Sequence, residues 1–460
     1  MKYPAYPQYK DSGVAWLGEV PEHWDVKRLD FLASVKARLG WKALTASEYV
    51  DEGYVFLATP NIKGEQNIDY KNVNYITWER YIESPEIILS EGDVLLAKDG
   101  STLGITNVVR NLPRPATVNS SIAVIRPKNK DAIDSSFLFR WISSSFMQSI
   151  IDSLKDGQGV PHLFQSDIRK FTVLTPSLEE QIAIADFLDR ETGRIDTLVA
   201  KKRKLVELLK EKRSALISRT VTRGLPADVA GEFGLEPNKG FKQSGIEWLG
   251  NIPLHWGIQK FSRCAFFQEG PGLRNWQFTQ DGVRVICVTN ITDSGINFSN
   301  YGKFISDEEY QTSYRHFTVS NGDLLLSSSG NSWGKVAEFQ SNEIAILNTS
   351  TIRINTNVSG TLVRAFVKWL LISDGTREQL GQFMTGSCQP NFGPSHLGRV
   401  LVTVPPQVEQ TAIAAYLDRE TTKIDRLMEK VETAITRLQE YRSTLITAAV
   451  TGKIDVRGTA

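Results

Sequence analysis

The sequence predicts a mixed α+β fold with an internal pseudo-two-fold repeat, in which two mixed domains are separated by two long antiparallel helices that form a coiled-coil spacer. Three observations predict it: a tryptophan-containing motif returns after about 230 residues, short apolar runs beside glycine alternate with helical patterns, and each repeat ends in a long heptad-like segment. At roughly 100–200 residues per domain, 460 residues suffice for two to four domains.

The repeat is clearest at its ends. SGVAWLGEVPEHW at residues 12–24 returns as SGIEWLGNIPLHW at 244–256, and EQIAIADFLDRET at 180–192 returns as EQTAIAAYLDRET at 409–421. A period of this length is too long for a solenoid and indicates a duplicated domain pair. The middle parts share mainly turns, so the repeat suggests one scaffold that presents two different surfaces.

Strands and helices inside each repeat follow from local patterns. Apolar or β-branched runs bounded by glycine, serine or aspartate predict strands at 94–97, 122–125, 324–327 and 351–354. Helical spacing of apolar residues predicts helices at 137–151 and 362–371.

A long helix is predicted to close each repeat. Pro176 and the Pro405-Pro406 pair end the preceding strands, and the helical patterns then run to Gly224 and Gly452. The predicted domain boundaries are 1–175 for the first domain, 176–226 for a central helical spacer, 227–404 for a linker and the second domain, and 405–460 for a distal helical spacer.

Heptads in these two helices predict that they pair. The residues assigned to positions a and d are Leu188, Ile195, Leu198, Leu205, Leu209, Leu216, Leu417, Ile424, Leu427, Val431, Leu438, Tyr441 and Leu445. Lys202, Lys212 and Arg219 interrupt the first seam. An apolar seam about 60 Å long needs a partner helix, and the repeat supplies one. An intermolecular coiled coil is the alternative left open.

Composition limits the classes of protein that the chain can represent. Lys and Arg number 53 against 52 Asp and Glu, with 31 against 30 in residues 1–228 and 22 against 22 in residues 229–460. Neither half is a basic arm, so any polyanion must be bound by local charge. The chain contains no apolar run of about 18 residues, no secretory signal and no CxxC pair, which predicts a soluble protein of a reducing compartment.

Motifs for catalysis are missing from the sequence. GNSWGK at 330–335 is one residue short of a phosphate loop, and neither GxGxxG nor HExxH occurs. Asp93, Lys98 and Asp99 could suggest a nuclease, but the second copy has serine at the positions of the last two. The sequence therefore predicts a binding or scaffolding protein without catalytic or metal-binding residues.

The repeated motifs resemble the specificity (S) subunits of Type I restriction-modification systems. The resemblance rests on WLGEVPEHW and WLGNIPLHW, on the turns GDVLLAKDGS and GDLLLSSSGN, and on the helix starts EEQIAIADFLDRETGRID and VEQTAIAAYLDRETTKID, and it spans essentially the whole chain. It implies two target-recognition domains that each read one half of a bipartite, asymmetric sequence of double-stranded DNA. It also implies a cytoplasmic prokaryotic protein that is not itself an enzyme.

Partners and cofactors follow from the same resemblance. It implies that two methyltransferase (M) subunits, which methylate adenine N6, bind to this chain, and that restriction (R) subunits join the assembled complex. S-adenosylmethionine, ATP and Mg²⁺ would belong to those subunits, so no cofactor is expected on this chain.

Side chains that can contact DNA lie in two turn regions per domain and, for Lys63, Arg110, Arg114, Arg274 and Arg284, on flanking polar segments. Amides and basic groups read bases, whereas hydroxyls and basic groups contact phosphates. The candidate residues are Lys63, Lys98, Ser101, Thr102, Arg110, Arg114, Gln158, His162, Arg274, Arg284, Ser328, Ser329, Asn331, Ser332, Trp333, Lys335, Gln389 and Asn391. Two alternatives stay open, a coiled-coil scaffold with no direct role in DNA binding and a stand-alone enzyme.

Overall fold

The computed structural model describes residues 3–38, 44–63, 67–154, 161–293, 295–299, 302–356, 360–383 and 391–458. Its architecture is mixed α+β, which confirms the predicted fold class. The chain divides into two compact units, unit 1 with Met1–Arg203 and Glu432–Ala460, and unit 2 with Lys204–Val431. The two long helices are each divided between the units, so the compact units do not coincide with the domain boundaries drawn from the sequence.

Unit 1 contains the first mixed domain. Its strands are β1 Tyr9–Asp11, β2 Glu19–Pro21, β3 Asp25–Arg28, β4 Ala33–Lys36, β5 Tyr54–Leu57, β6 Asn74–Ile76, β7 Val94–Ala97, β8 Thr106–Val108, β9 Ala116–Val118, β10 Ile122–Pro127 and β11 Thr172–Thr175. Its helices are α1 Leu29–Leu32, α2 Trp78–Ile82, α3 Ser135–Ile142, α4 Ser145–Ser153, α5 Gln165–Ile168 and the start of α6 Leu178–Arg223.

The sheets of unit 1 bring distant parts of the domain together. One antiparallel sheet has the order β4-β10-β7-β8, and another has the order β6-β5-β9 with β5 and β9 parallel. Strand β3 pairs with β11 from Asp25↔Thr175 to Arg28↔Thr172, so the two ends of the domain close on each other just before α6 begins.

Unit 2 contains the second mixed domain. Its strands are β12 Phe241–Gln243, β13 Asn251–Pro253, β14 Gly257–Lys260, β15 Phe266–Glu269, β16 Val283–Ile286, β17 Ile291–Thr292, β18 Gly295–Ile296, β19 Lys303–Ile305, β20 Thr318–Val319, β21 Leu324–Ser327, β22 Val336–Glu338, β23 Ala345–Leu347, β24 Thr351–Asn355 and β25 Leu401–Val404. Its helices are α7 Ala227–Ala230, α8 Asp307–Glu309, α9 Arg364–Ile372, α10 Asp374–Phe383, α11 Pro394–Leu397 and the start of α12 Gln407–Val450.

The sheets of unit 2 repeat the topology of unit 1. The order β15-β24-β21-β22 matches β4-β10-β7-β8, and β19-β16-β23-β20 contains the same parallel pair as β6-β5-β9. Strand β14 pairs with β25 as β3 pairs with β11. The repeat seen in the sequence is therefore a repeat of topology, including the closure that precedes each long helix.

The ends of α6 and α12 lie close to the predicted stops. Gly224 and Gly452 have φ of 81° and 70°, the left-handed conformation that favours glycine. A Cβ at Gly224 would lie 3.4 Å from the buried Trp256 ring, and one at Gly452 would lie 3.2 Å from the Trp24 ring. Each helix thus ends where its backbone packs against the second tryptophan of the WLGEVPEHW or WLGNIPLHW motif.

In unit 1, the C-terminal tail packs against the start of α6. Tyr6 donates its hydroxyl hydrogen to the buried Glu180 carboxylate at 2.6 Å, and the Arg457 guanidinium lies 5.0 Å from the Tyr6 ring centroid. The backbone N–H of Asp455 donates to the carbonyl of Pro4 at 2.8 Å. Burial, and then the hydrogen bond to Glu180, raise the pKa of the Tyr6 phenol well above its usual value.

The two long helices contribute to the core in both units. In unit 1, Arg442 of α12 donates to Asp196 of α6 at 2.8 Å, and in unit 2 Arg213 of α6 donates to Asp425 of α12 at 2.9 Å. The early part of α6 thus contacts the late part of α12, and the late part of α6 contacts the early part of α12, which is antiparallel order. Among the described residues, no helix has the length and apolarity to cross a membrane.

The apolar seam uses position a but departs from the predicted position d. Leu188, Leu417 and Leu445 are buried in the cores, but four d-position side chains are 39–46% exposed: Leu198, Leu205, Leu427 and Tyr441. Val199 and Val206, each one residue later, are buried instead. Positions a and e are four residues apart, so they lie on the same face of an α-helix with 3.6 residues per turn.

The helix predicted at 137–151 is two helices. α3 ends at Ile142 and α4 begins at Ser145, because Ser144 caps α4 by accepting a hydrogen bond from the backbone N–H of Met147 at 3.3 Å. Apolar spacing continues across the break, so the pattern alone reads as one helix. The predicted strands at 94–97 and 324–327 match β7 and β21.

Candidate nucleic-acid interface

The turns after β7 and β21 have the same backbone in both domains. A short 3-10 turn follows each strand, Gly100–Thr102 in the first domain and Gly330–Ser332 in the second. The N–H of Lys98 donates to the Ser121 carbonyl at 2.8 Å, and the N–H of Ser328 donates to that of Ser350 at 2.9 Å. Backbone hydrogen bonds therefore hold both turns in the same conformation, so the side chains of the two turns can differ without changing it.

The second predicted segment of each domain meets this turn. In the first domain, the N–H of Leu163 donates to the Lys98 carbonyl at 2.9 Å, and Asp99 forms a β-bridge with His162. In the second domain, Phe392 donates to Ser328 at 3.2 Å, and Ser329 forms a β-bridge with Asn391. Two regions about 60 residues apart in the chain thus form one surface in each domain, here called the paired turns.

The paired turns of the first domain carry charged groups. Lys98 is only 8% exposed, and its ammonium lies 3.0 Å from an Asp99 carboxylate oxygen, while His162 Nδ1 bonds the other oxygen of that carboxylate. Ser101 is exposed, and Thr102 donates its hydroxyl hydrogen to the Asp99 carbonyl at 3.4 Å. Asp99 therefore orients both basic side chains, and His162 and Ser101 are the better placed to meet a ligand.

The paired turns of the second domain carry neutral groups. Ser328 is buried and donates its hydroxyl hydrogen to the Ser350 carbonyl at 3.0 Å, so it supports the turn. The Ser332 and Ser327 hydroxyls lie 3.1 Å apart, and Ser329 is half-buried. Asn331 is exposed, which leaves its amide free to contact a ligand.

Other candidates surround the second turn. Asn391 is exposed beside it, and the Lys335 ammonium lies 3.6 Å from the exposed Asp293 carboxylate. The Trp333 ring packs edge-on against Phe392 at 6.4 Å between centroids, so it has a core contact as well as an exposed part. Gln158 and Gln389 lie outside the described residues.

The flanking basic residues divide into anchored and exposed ones. Arg110 lies 3.1 Å from Asp189 of α6, and Arg284 pairs with Glu343 at 2.9 Å with its guanidinium 4.8 Å from two phenylalanine rings. Both interactions hold parts of the fold together. The other predicted basic residues are exposed: Lys63, Arg114 and Arg274.

One exposed aromatic side chain was not predicted. Trp276 lies in the 3-10 turn Asn275–Gln277 next to Arg274 and is 81% exposed. An aromatic ring beside arginine can stack on bases or wedge between them. The sequence signal would have been its place after a glycine-proline-glycine turn and between Asn275 and Gln277.

The carboxylates that could have suggested a nuclease have structural partners. Asp93 is buried and accepts two hydrogen bonds from the Arg126 guanidinium, at 2.7 and 2.6 Å, which raise the pKa of Arg126. In the second domain the Asp323 carboxylate lies 3.7 Å from Arg353. Within the described part of the chain, no three His, Cys, Asp or Glu side chains group closely enough to hold a metal ion.

Comparison with a family model supplies the deciding observation. Residues 21–208 match the model described as Type I restriction modification DNA specificity domain. Residues 21–208 are therefore similar to that domain. The resemblance predicted from the repeated motifs is confirmed, and the second domain, which follows residue 208, repeats the topology of the first.

Two curated relatives are similar to this chain over most of their length. The chain is 26% identical over 443 residues to the Type I restriction enzyme MjaVIII specificity subunit of Methanocaldococcus jannaschii, covering 95% of this chain and 94% of the relative. It is 20% identical over 409 residues to the StySPI specificity subunit of Salmonella potsdam, covering 87% and 83%.

Solved structures agree on the fold. The HsdS subunit from Thermoanaerobacter tengcongensis is similar with a TM-score of 0.51 and 15% identity, covering 95% of this chain and 98% of that one. A chain from a structure described as the basis of complex assembly and conformational transition of the type I R-M system has a TM-score of 0.66 and 16% identity, covering 95% and 99%.

Proposed function

We propose that this chain is the sequence-reading subunit of a Type I restriction-modification complex, in which each domain reads one half of a bipartite, asymmetric DNA target. One observation carries the proposal. The paired turns are built twice by matching backbone hydrogen bonds, yet they present charged side chains in one domain and neutral side chains in the other. A constant scaffold with variable side chains is what two readers of different sequences require.

The chemistry of the turns suits direct base reading. An asparagine amide can form two hydrogen bonds with adenine, which suits the exposed Asn331 and Asn391 of the second domain. His162 and Ser101 offer donors and acceptors in the first domain. A net charge of +1 favours recognition of bases over nonspecific binding to the DNA backbone, because nonspecific attraction to phosphates would need a basic surface.

Catalysis belongs to partners in this proposal. The chain recruits two M subunits, which use S-adenosylmethionine to methylate adenine N6, and through them R subunits that use ATP and Mg²⁺. The support is the similarity to specificity subunits over nearly the whole chain, and the structural roles of Asp93, Lys98 and Asp99.

Methylome sequencing of a host that expresses this chain with its M partner tests the proposal. We expect one bipartite methylated motif. Asn331→Ala should alter or abolish methylation through changes at one half-site, and Ser101→Ala should affect the other half-site. Arg426→Ala, an exposed change on α12, is the control and should leave the motif unchanged.

Four outcomes would contradict the proposal. A motif without two separated halves, or two turn variants that alter the same half-site, would refute one reader per domain. A coiled-coil scaffold without a DNA role predicts no sequence-specific gel shift, with or without the M partner. Methyl transfer by the purified chain alone, with labelled S-adenosylmethionine and DNA, would instead show a stand-alone enzyme.

A further inference from the structure

A cavity of about 390 Å³ lies at the C-terminal end of α6 in unit 2. Two arginines of α6, Arg219 and Arg223, form one wall, and the side chains of Asn238, Asn251 and Phe241 line the rest. Pockets of 300–1,000 Å³ are the size range that small ligands occupy. None of these residues belongs to the paired turns.

The two arginines lie one turn apart and have no acidic partner among the described residues. Both are exposed, and the ion pairs described nearby, Arg213 with Asp425 and Arg419 with Glu232, do not include them. Like charges four residues apart on a helix repel each other. An arrangement that keeps two such charges together at a cavity favours an anionic occupant.

Termination of the helix does not explain the pair. Arginines can stabilise a helix C-terminus through its dipole, but α12, which ends at Val450 just before the left-handed Gly452, has no basic residue in its last turn. In the sequence repeat, the counterpart of Arg219 is Ala448. The same helix stop is therefore made without these charges in the other copy.

A hydrogen bond and a close backbone contact hold the loop that lines the cavity. Asn238 donates its amide hydrogen to the Arg223 carbonyl at 3.1 Å, which ties the following loop to the helix end. A Cβ at Gly224 would lie 2.5 Å from that amide nitrogen, so only glycine permits the contact. Leu225, beside Gly224, is buried. The hydrogen bond and the close packing at Gly224 therefore tie the cavity lining to the helix end that carries both arginines.

We propose that this cavity is a phosphate-binding site, with Arg219 and Arg223 as the groups that hold the anion. Guanidinium groups match phosphate geometry through paired N–H donors, and two of them neutralise a dianion. The phosphate could come from a DNA phosphodiester outside the half-sites or from a free nucleotide. The site is independent of base reading by the paired turns.

Calorimetric titration of the full chain with pyrophosphate, at constant ionic strength, tests the site directly. We expect binding that weakens about tenfold or more in the double variant Arg219→Ala/Arg223→Gln. The control Arg426→Ala/Arg437→Ala removes two other exposed charges of the helices and should change affinity by less than about twofold. Circular dichroism confirms that each variant is folded.

A second measurement distinguishes the two sources of phosphate. If DNA supplies it, the double variant lowers the salt dependence of duplex binding by the complex with M subunits by about one to two in slope, without changing the motif. If a nucleotide supplies it, ATP competes with pyrophosphate and the slope stays the same. Either result supports the site.

The proposal is overturned by three results. No pyrophosphate binding by the unmodified chain would remove the site, and equal weakening in the control would show diffuse charge attraction. Tighter binding of an acidic peptide such as oligoglutamate than of pyrophosphate would identify a protein carboxylate site instead. If the chain bound pyrophosphate but the complex did not recognise a bipartite DNA target, only the proposed function would be refuted, and the phosphate site would stand.

Discussion

The position of the buried seam in α6 can be tested with two leucines of the same helix and the same unit. Leu188 is fully buried in the core of unit 1, whereas Leu198 is 42% exposed. We compare Leu188→Ala with Leu198→Ala. Both remove the same three carbon atoms and replace leucine with a good helix former, so the difference in stability reports burial alone.

The expected magnitudes differ clearly. At about 0.8 kcal/mol for each buried carbon, plus the cost of the cavity left behind, Leu188→Ala should lower the free energy of unfolding by about 3–5 kcal/mol. Leu198 loses less buried area and leaves no closed cavity, so Leu198→Ala should cost about 1 kcal/mol. Leu417→Ala and Leu427→Ala, the repeat counterparts in unit 2, should show the same contrast.

Urea denaturation followed by circular dichroism measures the effect, and hydrogen exchange localises it to the unit that carries the substitution. Equal destabilisation by Leu188→Ala and Leu198→Ala would refute the a and e seam. It would restore the predicted a and d seam, or show that a partner chain covers position d.

Three further predictions concern charged and polar groups. Lys335→Ala should weaken DNA binding by the assembled complex and lower its salt slope by about one, whereas Lys98→Ala, which removes a buried ammonium paired with Asp99, should change the slope less; unchanged affinity and slope in both would displace the interface from these turns. Arg140→Ala removes a buried guanidinium that binds a carboxylate of α6 at 2.6 Å, and should cost about 2 kcal/mol in chemical denaturation, against under 1 for its more exposed repeat counterpart Lys368→Ala. Because the pKa of Tyr6 is raised in the folded state, its contribution to stability is complete below pH of about 10 and is lost progressively as the pH rises further. Tyr6→Phe should therefore make the free energy of unfolding fall less steeply with alkaline pH. An unchanged pH dependence of the free energy of unfolding would refute this.

Much of the fold was predictable because it depends on local signals. Strands β7 and β21 follow from apolar runs after Gly-Asp, and α6 and α12 begin after proline and end at Gly224 and Gly452. The break between α3 and α4 was missed because a capping serine looks like any polar residue in a helical pattern. Heptad counting placed the second row of the seam in α6 at Leu198 and Leu205, whereas the neighbouring Val199 and Val206 are the buried residues.

The candidate interface was predictable only in part. The polar residues of the turns predicted the regions around Lys98 and Ser328 as the interface. The sequence did not show which of those polar residues are exposed and which are buried. The structure separates them: Lys98 is held by Asp99, Ser328 is buried, and Asn331 is exposed. Such distinctions depend on contacts between segments about 60 residues apart, which local patterns do not encode.

By itself, the sequence determined that the chain is one unit used twice, where its long helices begin and end, and which family it resembles, because repeats, prolines and glycines act locally. Only the tertiary structure decided which side chains are free to meet a ligand. It placed Trp276 in solvent, joined the two turns of each domain, and set Arg219 and Arg223 around a cavity. The physical reason is that burial and pairing are properties of segments brought together by folding.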